Sequence, residues 1–348
     1  MSVDDYAWRR VKDGGSKTHA EARKQQFRIS FRMNITGLVG TLVPVFFVLA
    51  LGYFAGKRNS FDAGQVAGLS KLATSFALPA ALFVGMTNIR GDLLLQQGRL
   101  FLALILAHAG LFVVAWIALR KTESLRGTPS IIYSLILATS GTPIFGLAVL
   151  EPILGATSAG AVGLVALAIF LTVALAVVFL EVDAAAKNQT GTDRSQPGPV
   201  VTGLKGALKT PLLWGPVLGM AVVLAQVPLP SVVVNSLELI GSATSGVAIF
   251  SVGLVLAAYP VRLSPGVFAG SLARVALQSA ILGVLLHLLS VNSPLSREAL
   301  VACSFPVGPT VSLFADRYHS FRSETAAMLL LSTLGLAITV PVVLWITR

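Results

Sequence analysis

The chain has little charge and almost no cysteine. Charged residues make up 12% of its 348 residues, against 55% hydrophobic ones, and no acidic residue lies deep in a long apolar run. Its single cysteine, Cys303, excludes an intramolecular disulfide, and we interpret it as a buried structural thiol. Paired aspartate motifs, a His-Glu-x-x-His sequence and a Walker loop are also missing. We therefore expect no enzyme: no catalytic residue, no metal site and no cofactor.

Long apolar runs dominate what is present. Ten of them approach or exceed the roughly 18 residues that a membrane-spanning helix needs, near residues 35–54, 63–86, 100–119, 130–150, 159–180, 211–227, 231–258, 266–289, 298–314 and 326–346. The composition predicts an all-α membrane protein with ten transmembrane helices, surrounded by the lipid bilayer. Spanning helices fold as one body, so we assign residues 33–348 to a single transmembrane domain.

The formal net charge of +11 comes from basic residues that lie between the apolar runs rather than along one face. This distribution is typical of membrane orientation and not of nucleic-acid binding. Basic residues of the connections on one side number 12, against 4 on the other, which are Arg90, Arg99, Arg297 and Arg348. We expect the richer side to be cytoplasmic, which places both ends of the transmembrane domain outside the cytoplasm.

Residues 1–32 do not fit this topology, because they carry eight basic residues against four acidic ones and should resist export. Met33 stands directly before the first apolar run. We interpret residues 1–32 as a basic N-terminal extension that is either non-native or disordered.

A polar stretch at residues 182–209 separates five apolar runs from five others. We interpret it as a flexible cytoplasmic linker between a first repeat, residues 33–181, and a second repeat, residues 210–348. Repeats with an odd number of spans lie in opposite orientations across the membrane. The fourth and ninth runs then hold equivalent positions in two inverted five-helix repeats.

These two runs are each interrupted near the middle by residues that break helices. A break at bilayer depth leaves backbone N–H and C=O groups without helical hydrogen bonds, which is tolerated only inside protein or beside a water-filled cavity. Paired breaks at corresponding positions indicate the binding site of a secondary transporter. A half-helix would begin after each break, with Thr142 or Ser140 as N-cap and Pro143 in the first turn, so that its positive end favours a carboxylate. The alternative is a proline that only kinks a packed helix. Candidate substrate-binding residues are Ser140, Gly141, Thr142, Pro143, Pro306, Gly308, Pro309 and Thr310.

Isolated polar residues inside the runs allow two interpretations each. Lys71 either compensates the charge of an anion or takes part in ion coupling, or it snorkels to the membrane interface. For Arg274 the same alternatives stand, and we favour snorkelling. His108 and His287 are interpreted as hydrogen-bonded packing residues in preference to a proton relay.

Several short motifs resemble the auxin efflux carrier family, and in particular its bacterial dicarboxylate or malonate transporter branch. They are Leu51-Gly52-Tyr53-Phe54, residues 61–72 with the following Ala77-Leu78-Pro79-Ala80, and Pro306 with the trailing Phe314-Ala315-Asp316-Arg317-Tyr318. The resemblance covers residues 33–348. It implies an elevator-like or rocking carrier of organic anions in the bacterial inner membrane, with crossed broken helices. Where the family often has asparagine at each crossing, this chain has Gly141, Thr142 and Thr310.

The expected function is secondary active transport, by efflux or uptake, of a small organic anion such as a mono- or dicarboxylate. It would proceed by alternating access, with the anion bound where the broken helices cross. One alternative is a sodium-coupled symporter of the bile acid symporter type, and another is a receptor or scaffold that does not transport. Proton or sodium coupling and a homodimer are left open.

Overall fold

The computed structural model describes residues 40–88, 91, 97–155, 158–187, 211–258, 263–291 and 295–347. The chain divides into a unit of residues 1–44, whose described part is helical, and a compact unit of residues 45–348. All regular elements of the described residues are helices, and one isolated antiparallel bridge joins Ser140 to Val307.

The helices follow the apolar runs of the sequence closely. In chain order they are α1 Gly40–Lys57, α2 Ala63–Thr87, α3 Gly98–Leu119, α4 Thr128–Ala138, α5 Thr142–Leu154, α6 Ser158–Lys187, α7 Pro211–Leu224, α8 Ser231–Ala258, α9 Pro265–Leu288, α10 Ser296–Cys303, α11 Thr310–Arg317 and α12 Arg322–Ile346.

Seven of the described helices are long and apolar enough to cross a bilayer: α1, α2, α3, α6, α8, α9 and α12. The remaining predicted spans correspond to shorter helices. The fourth run is the pair α4 and α5, the ninth is the pair α10 and α11, and the sixth is α7. Both predicted breaks therefore occur. The predicted extension at residues 1–32 and the beginning of the first run lie outside the described residues. Of the predicted linker, only residues 182–187 are described, and they form the end of α6.

Exposed apolar side chains cover the outer faces of the long helices. Phe47 on α1, Leu239 on α8 and Leu272 on α9 are each more than half exposed. A surface with this much exposed hydrocarbon is typical of a protein that faces lipid.

Glycines allow two helix pairs to approach closely. A Cβ on Gly253 of α8 would collide with the backbone of Leu49 and Tyr53 in α1, and one on Gly215 of α7 would collide with the backbone of Pro79 in α2. Small residues let helix backbones meet at short range in membrane proteins. If the chain is divided at the predicted linker into two halves, α1–α6 and α7–α12, the first helix of each half thus lies against the second helix of the other half.

Other contacts are also duplicated between the halves. Helix α3 packs on α4 and α6, and α9 packs on α10 and α12; likewise α5 packs on α6, and α11 on α12. Helix α6 runs through the interior, and its residues from Ser158 to Ile169 are buried. These contacts bring the broken helices into the centre of the compact unit.

Two helices widen locally to π-helical geometry, at Ala73–Ala77 in α2 and Leu106–Gly110 in α3. Pro79 explains the first, since its ring excludes the hydrogen bond to the carbonyl four residues earlier. In the second, the Ala107 carbonyl accepts a hydrogen bond from Gln278 Nε2 of α9 at 3.1 Å. A side chain from another helix thus satisfies backbone in the interior.

Candidate functional site

The two breaks meet each other. Ser140 pairs with Val307 in the antiparallel bridge, and the Gly141 N–H donates to the Pro306 carbonyl at 2.7 Å. The Val307 N–H donates to Ser332 Oγ of α12 at 3.0 Å. Backbone groups freed by one break are thus satisfied by the other break and by a neighbouring helix, as burial away from water requires. We call residues 139–142 and 304–310 the crossover.

Local chemistry explains where the first break falls. Pro143 lies in the first turn of α5, where its missing N–H costs nothing, but its ring prevents α4 from continuing unbroken. The N-cap of α5 is Gly141, and no side chain caps the helix, so the expectation of a Thr142 or Ser140 N-cap is wrong. The Thr142 hydroxyl instead makes a tertiary contact, and the Ser140 hydroxyl lies against that of Thr142.

Thr142 ties the two halves together. Its hydroxyl donates to the Ala302 carbonyl in the last turn of α10 at 2.6 Å, and it lies 2.6 Å from the Ser140 hydroxyl. Both residues are almost completely buried. This link joins residues that lie 160 positions apart in the chain.

Two small cavities adjoin the crossover. One, of about 20 Å³, is lined by five crossover residues, Ser140, Gly141, Gly308, Pro309 and Thr310, together with Thr74, Leu78, Pro143, Ile144, Ile169 and Phe170. The other, of about 50 Å³, is lined by Ser70, Ala73, Thr74, Ile144, Ala248, Ser251, Val252, Val255, Pro309 and Thr310. Each has space for one or a few waters. Neither lining contains a charged side chain.

The first turns of α5 and α11 both begin at these cavities. Ile144 N–H donates to the Gly141 carbonyl at 2.9 Å, and Val311 N–H donates to the Gly308 carbonyl at 3.0 Å, so each turn is tightened. The positive ends of the two helix dipoles remain directed at the same region. This arrangement favours a negatively charged group without using a basic side chain.

Six of the eight predicted substrate residues line the cavities: Ser140, Gly141, Pro143, Gly308, Pro309 and Thr310. Thr142 and Pro306 are buried in the crossover itself. Lys71 is exposed and follows Ser70, which lines the larger cavity, without lining either cavity itself.

Arg274 does not snorkel, so that expectation is wrong. Its side chain is completely buried, and its guanidinium donates to the Thr139 carbonyl through Nε at 2.9 Å and to the Cys303 carbonyl through Nη1 at 3.3 Å. Sequence reasoning missed its contact with the crossover, although a charge inside an apolar run signals function. Ser332, which it also missed, carries no such signal.

The two histidines and the cysteine that the sequence analysis named lie outside the crossover. His108 is buried, and its Nδ1 lies 2.9 Å from the Leu104 carbonyl, which agrees with a packing residue, while its buried Nε2 has no hydrogen-bond partner among the described residues. His287 is exposed in the last turn of α9, so its interpretation as a packing residue is wrong. Cys303 is a buried free thiol, as predicted. Among the described residues no cluster of His, Cys, Asp and Glu could hold a metal ion.

Breaks that meet within an apolar helical body are typical of an integral, multi-pass membrane transport protein, and the comparisons agree. The family profile described as "membrane transport protein" matches residues 38–344. The chain belongs to this family, that of the auxin efflux carriers, which confirms the resemblance seen in the sequence.

Similar proteins include bacterial and mammalian ones. The uncharacterized transporter YfdV of Escherichia coli K12 is 29% identical over 320 residues, which cover 90% of this chain and 99% of YfdV. YfdV of Shigella flexneri gives the same values. The lysosomal cholesterol signaling protein of Mus musculus is 24% identical over 304 residues, which cover 82% of this chain but 35% of that protein.

Proposed function

We propose that this chain is a secondary active carrier of a small organic anion, a mono- or dicarboxylate, that binds where the broken helices cross. The observation that carries the proposal is the crossover itself. Two breaks hydrogen-bond to each other, and the helices that follow them begin beside the same cavities. Half-helix starts directed at one site are the recurring anion-binding device of secondary transporters.

The architecture that we propose is two inverted five-helix repeats with ten spans. The duplicated helix contacts support it, and so does the matching position of the two breaks in each half. The excess of basic residues on one side favours a cytoplasmic linker and extracytoplasmic ends. Similarity to transporters of Escherichia coli and Shigella flexneri favours the bacterial inner membrane.

The size of the cavities supports alternating access. At about 20 and 50 Å³ they hold water but no dicarboxylate, so the crossover must separate from α2 and α8 before an anion enters. Helices α2 and α8 contribute the facing wall through Thr74 and Ser251. Movement of the crossover against this wall would open the site to one side of the membrane at a time.

Binding is tested with purified protein and a panel of acetate, malonate, succinate and their neutral amides. A ligand that binds only the folded state raises the apparent Tm. We expect an acid to raise it and its amide to have little effect, because the helix dipoles favour charge. Uptake of the labelled acid into proteoliposomes then separates a carrier from a non-transporting receptor, an alternative that the signalling relative in mouse keeps open.

Thr310 is an informative residue to substitute, because it lines both cavities. Thr310→Asp should abolish binding of the selected acid, because a fixed carboxylate would repel the ligand, whereas Thr310→Asn should retain it, because an amide can donate to the anion. Thr122→Asp, at an exposed position outside the crossover, is the control. Unchanged affinity of Thr310→Asp in calorimetry would mean that the anion binds elsewhere. Thr142→Asp is less informative, as it also removes the hydrogen bond to Ala302.

A sodium-coupled symporter of the bile acid type shares the crossed-helix arrangement and remains the alternative mechanism. Uptake that persists when sodium is replaced by choline would exclude it. Lys71 is proposed as a charge-compensating or coupling residue, on the ground that a lysine inside an apolar run is costly and often functional.

A further inference from the structure

Besides the two helix N-termini, two helix C-termini lie at the crossover. Helix α4 ends at Ala138 with Thr139 as its C-cap, and helix α10 ends at Cys303. The carbonyls of Thr139 and Cys303 both accept hydrogen bonds from the buried guanidinium of Arg274. The helix starts thus meet the cavities, whereas the helix ends converge on a single arginine.

Helix C-termini carry partial negative charge, and half-helix ends of this kind coordinate sodium in broken-helix carriers. A buried guanidinium requires compensation of its charge, and among the described residues its hydrogen bonds go to these backbone carbonyls rather than to a carboxylate. Its Nη2 is also buried, without a hydrogen-bond partner in the described part of the chain.

We infer that Arg274 is a tethered cation that takes the place of a coupling sodium ion at the helix ends of the crossover and holds the two breaks in register. It acts as a positioning residue, because it lines neither cavity. The inference about sodium rests on the proposed carrier function. The role in holding the breaks together is independent of it.

The test measures the apparent Tm of the purified protein in sodium, potassium and choline chloride at equal ionic strength. The wild-type Tm should be the same in all three salts. Arg274→Ala should lower it on the order of 5 °C, and low millimolar guanidinium should restore part of the loss by entering the vacated position. Arg274→Lys, which keeps the charge, should be more stable than Arg274→Gln. Arg58→Ala, at an exposed arginine outside the crossover, is the control and should show neither effect.

A saturable, sodium-specific rise of the wild-type Tm would overturn the replacement of sodium. Equal Tm values for the wild type, Arg274→Lys and Arg274→Gln would overturn the positioning role, and this comparison decides the question if Arg274→Ala does not fold. Since none of these measurements uses a substrate, failure of the carboxylate proposal would leave their outcome unchanged and is detected separately.

A different observation carries a second inference. A cavity of about 680 Å³ lies where α3, α4 and α6 meet, and it shares no lining residue with the cavities of the crossover. Part of its wall is apolar and is formed by residues such as Trp116, Ile131 and Phe179. The guanidinium of Arg120 stacks over the Trp116 ring at 4.5 Å from the centroid.

Three basic residues, Arg120, Lys121 and Arg126, line this cavity against a single acidic one, Asp183. That carboxylate accepts a hydrogen bond from Thr128 Oγ1 at 2.6 Å. We propose that the cavity binds an anionic phospholipid, with the headgroup phosphate at the basic residues and acyl chain along the aromatic wall. Basic pockets between spanning helices recognise anionic headgroups in this way.

Delipidated protein is tested by its apparent Tm with phosphatidylglycerol, phosphatidylcholine and soluble glycerol 3-phosphate. We expect a rise with phosphatidylglycerol alone, and we expect Arg120→Gln combined with Arg126→Gln to abolish it while Arg58→Gln does not. Equal effects of the two lipids, or retention of the rise in the double variant, would refute the site. A full rise with glycerol 3-phosphate would identify a site for free phosphates and refute lipid binding.

Discussion

The hydrogen bond from Thr142 to the opposite half of the chain should make a measurable contribution to stability. Thr142→Val keeps the shape of the side chain but removes the hydroxyl that donates to the Ala302 carbonyl at 2.6 Å. The loss of one buried hydrogen bond costs about 1 kcal/mol, and the Ser140 hydroxyl, left buried without this partner, adds about 1–3 kcal/mol. We therefore expect the free energy of unfolding to fall by about 2–4 kcal/mol.

The assay is thermal unfolding of the purified variant, beside a matched control. Thr172 is also completely buried, but its hydroxyl donates to the Ala168 carbonyl of its own helix at 2.8 Å. Such a bond adds little to a carbonyl that already belongs to a helix, so Thr172→Val should cost less than about 1 kcal/mol. Equal losses in the two variants would refute a special role for the link between the halves.

A double-mutant cycle separates the two parts of the expected loss. Ser140→Ala combined with Thr142→Val leaves no orphaned hydroxyl, so the double variant should be less destabilised than the sum of the single variants. Additive losses would show that the contact between Ser140 and Thr142, at 2.6 Å, does not couple their energies.

Three further predictions concern helix contacts, charge and topology. Gly253→Ala should lower the Tm in thermal unfolding, because its Cβ would collide with α1. Gly246→Ala on the same helix is the control; no atom lies within 4 Å of the added Cβ, so this variant should be neutral or slightly stabilising. Lys71→Ala should weaken binding of the selected acid in calorimetry without loss of monodispersity, and Lys71→Arg should retain part of it; unchanged affinity in both would favour snorkelling. Ser195→Cys should resist labelling by an impermeant thiol reagent in intact cells, because we expect the linker to be cytoplasmic; ready labelling would reverse the proposed orientation.

The positions of the helices could be read from the sequence because hydropathy and helix length are local properties. The run at residues 231–258 became the helix Ser231–Ala258, and the run at 266–289 became Pro265–Leu288. The signal for the breaks was equally local, since Pro143 and Pro309 each lie next to or near a glycine and disfavour a continuous helix. Membership of the transport family could likewise be recognised from short motifs spread along the chain.

The hydrogen-bond partners of polar side chains and the N-caps of helices could not be predicted from the sequence in this way. Ser140 and Thr142 are plausible N-caps by residue type, yet both hydroxyls are engaged elsewhere and Gly141 occupies the cap position. Snorkelling of Arg274 was a reasonable expectation for an isolated helix, where the interface is the nearest polar environment. Helix α9 instead packs against α4 and α10, and their terminal carbonyls supply that environment inside the protein.

The sequence by itself therefore determined the class of protein, the course of the helices and the location of both breaks, because each depends on residues that are neighbours in the chain. Only the tertiary structure decided that the breaks meet, that Arg274 lies behind them and that Thr310 faces the cavities while Thr142 does not. These relations join positions more than a hundred residues apart. They follow from the requirement that buried backbone groups and a buried charge find partners in three dimensions.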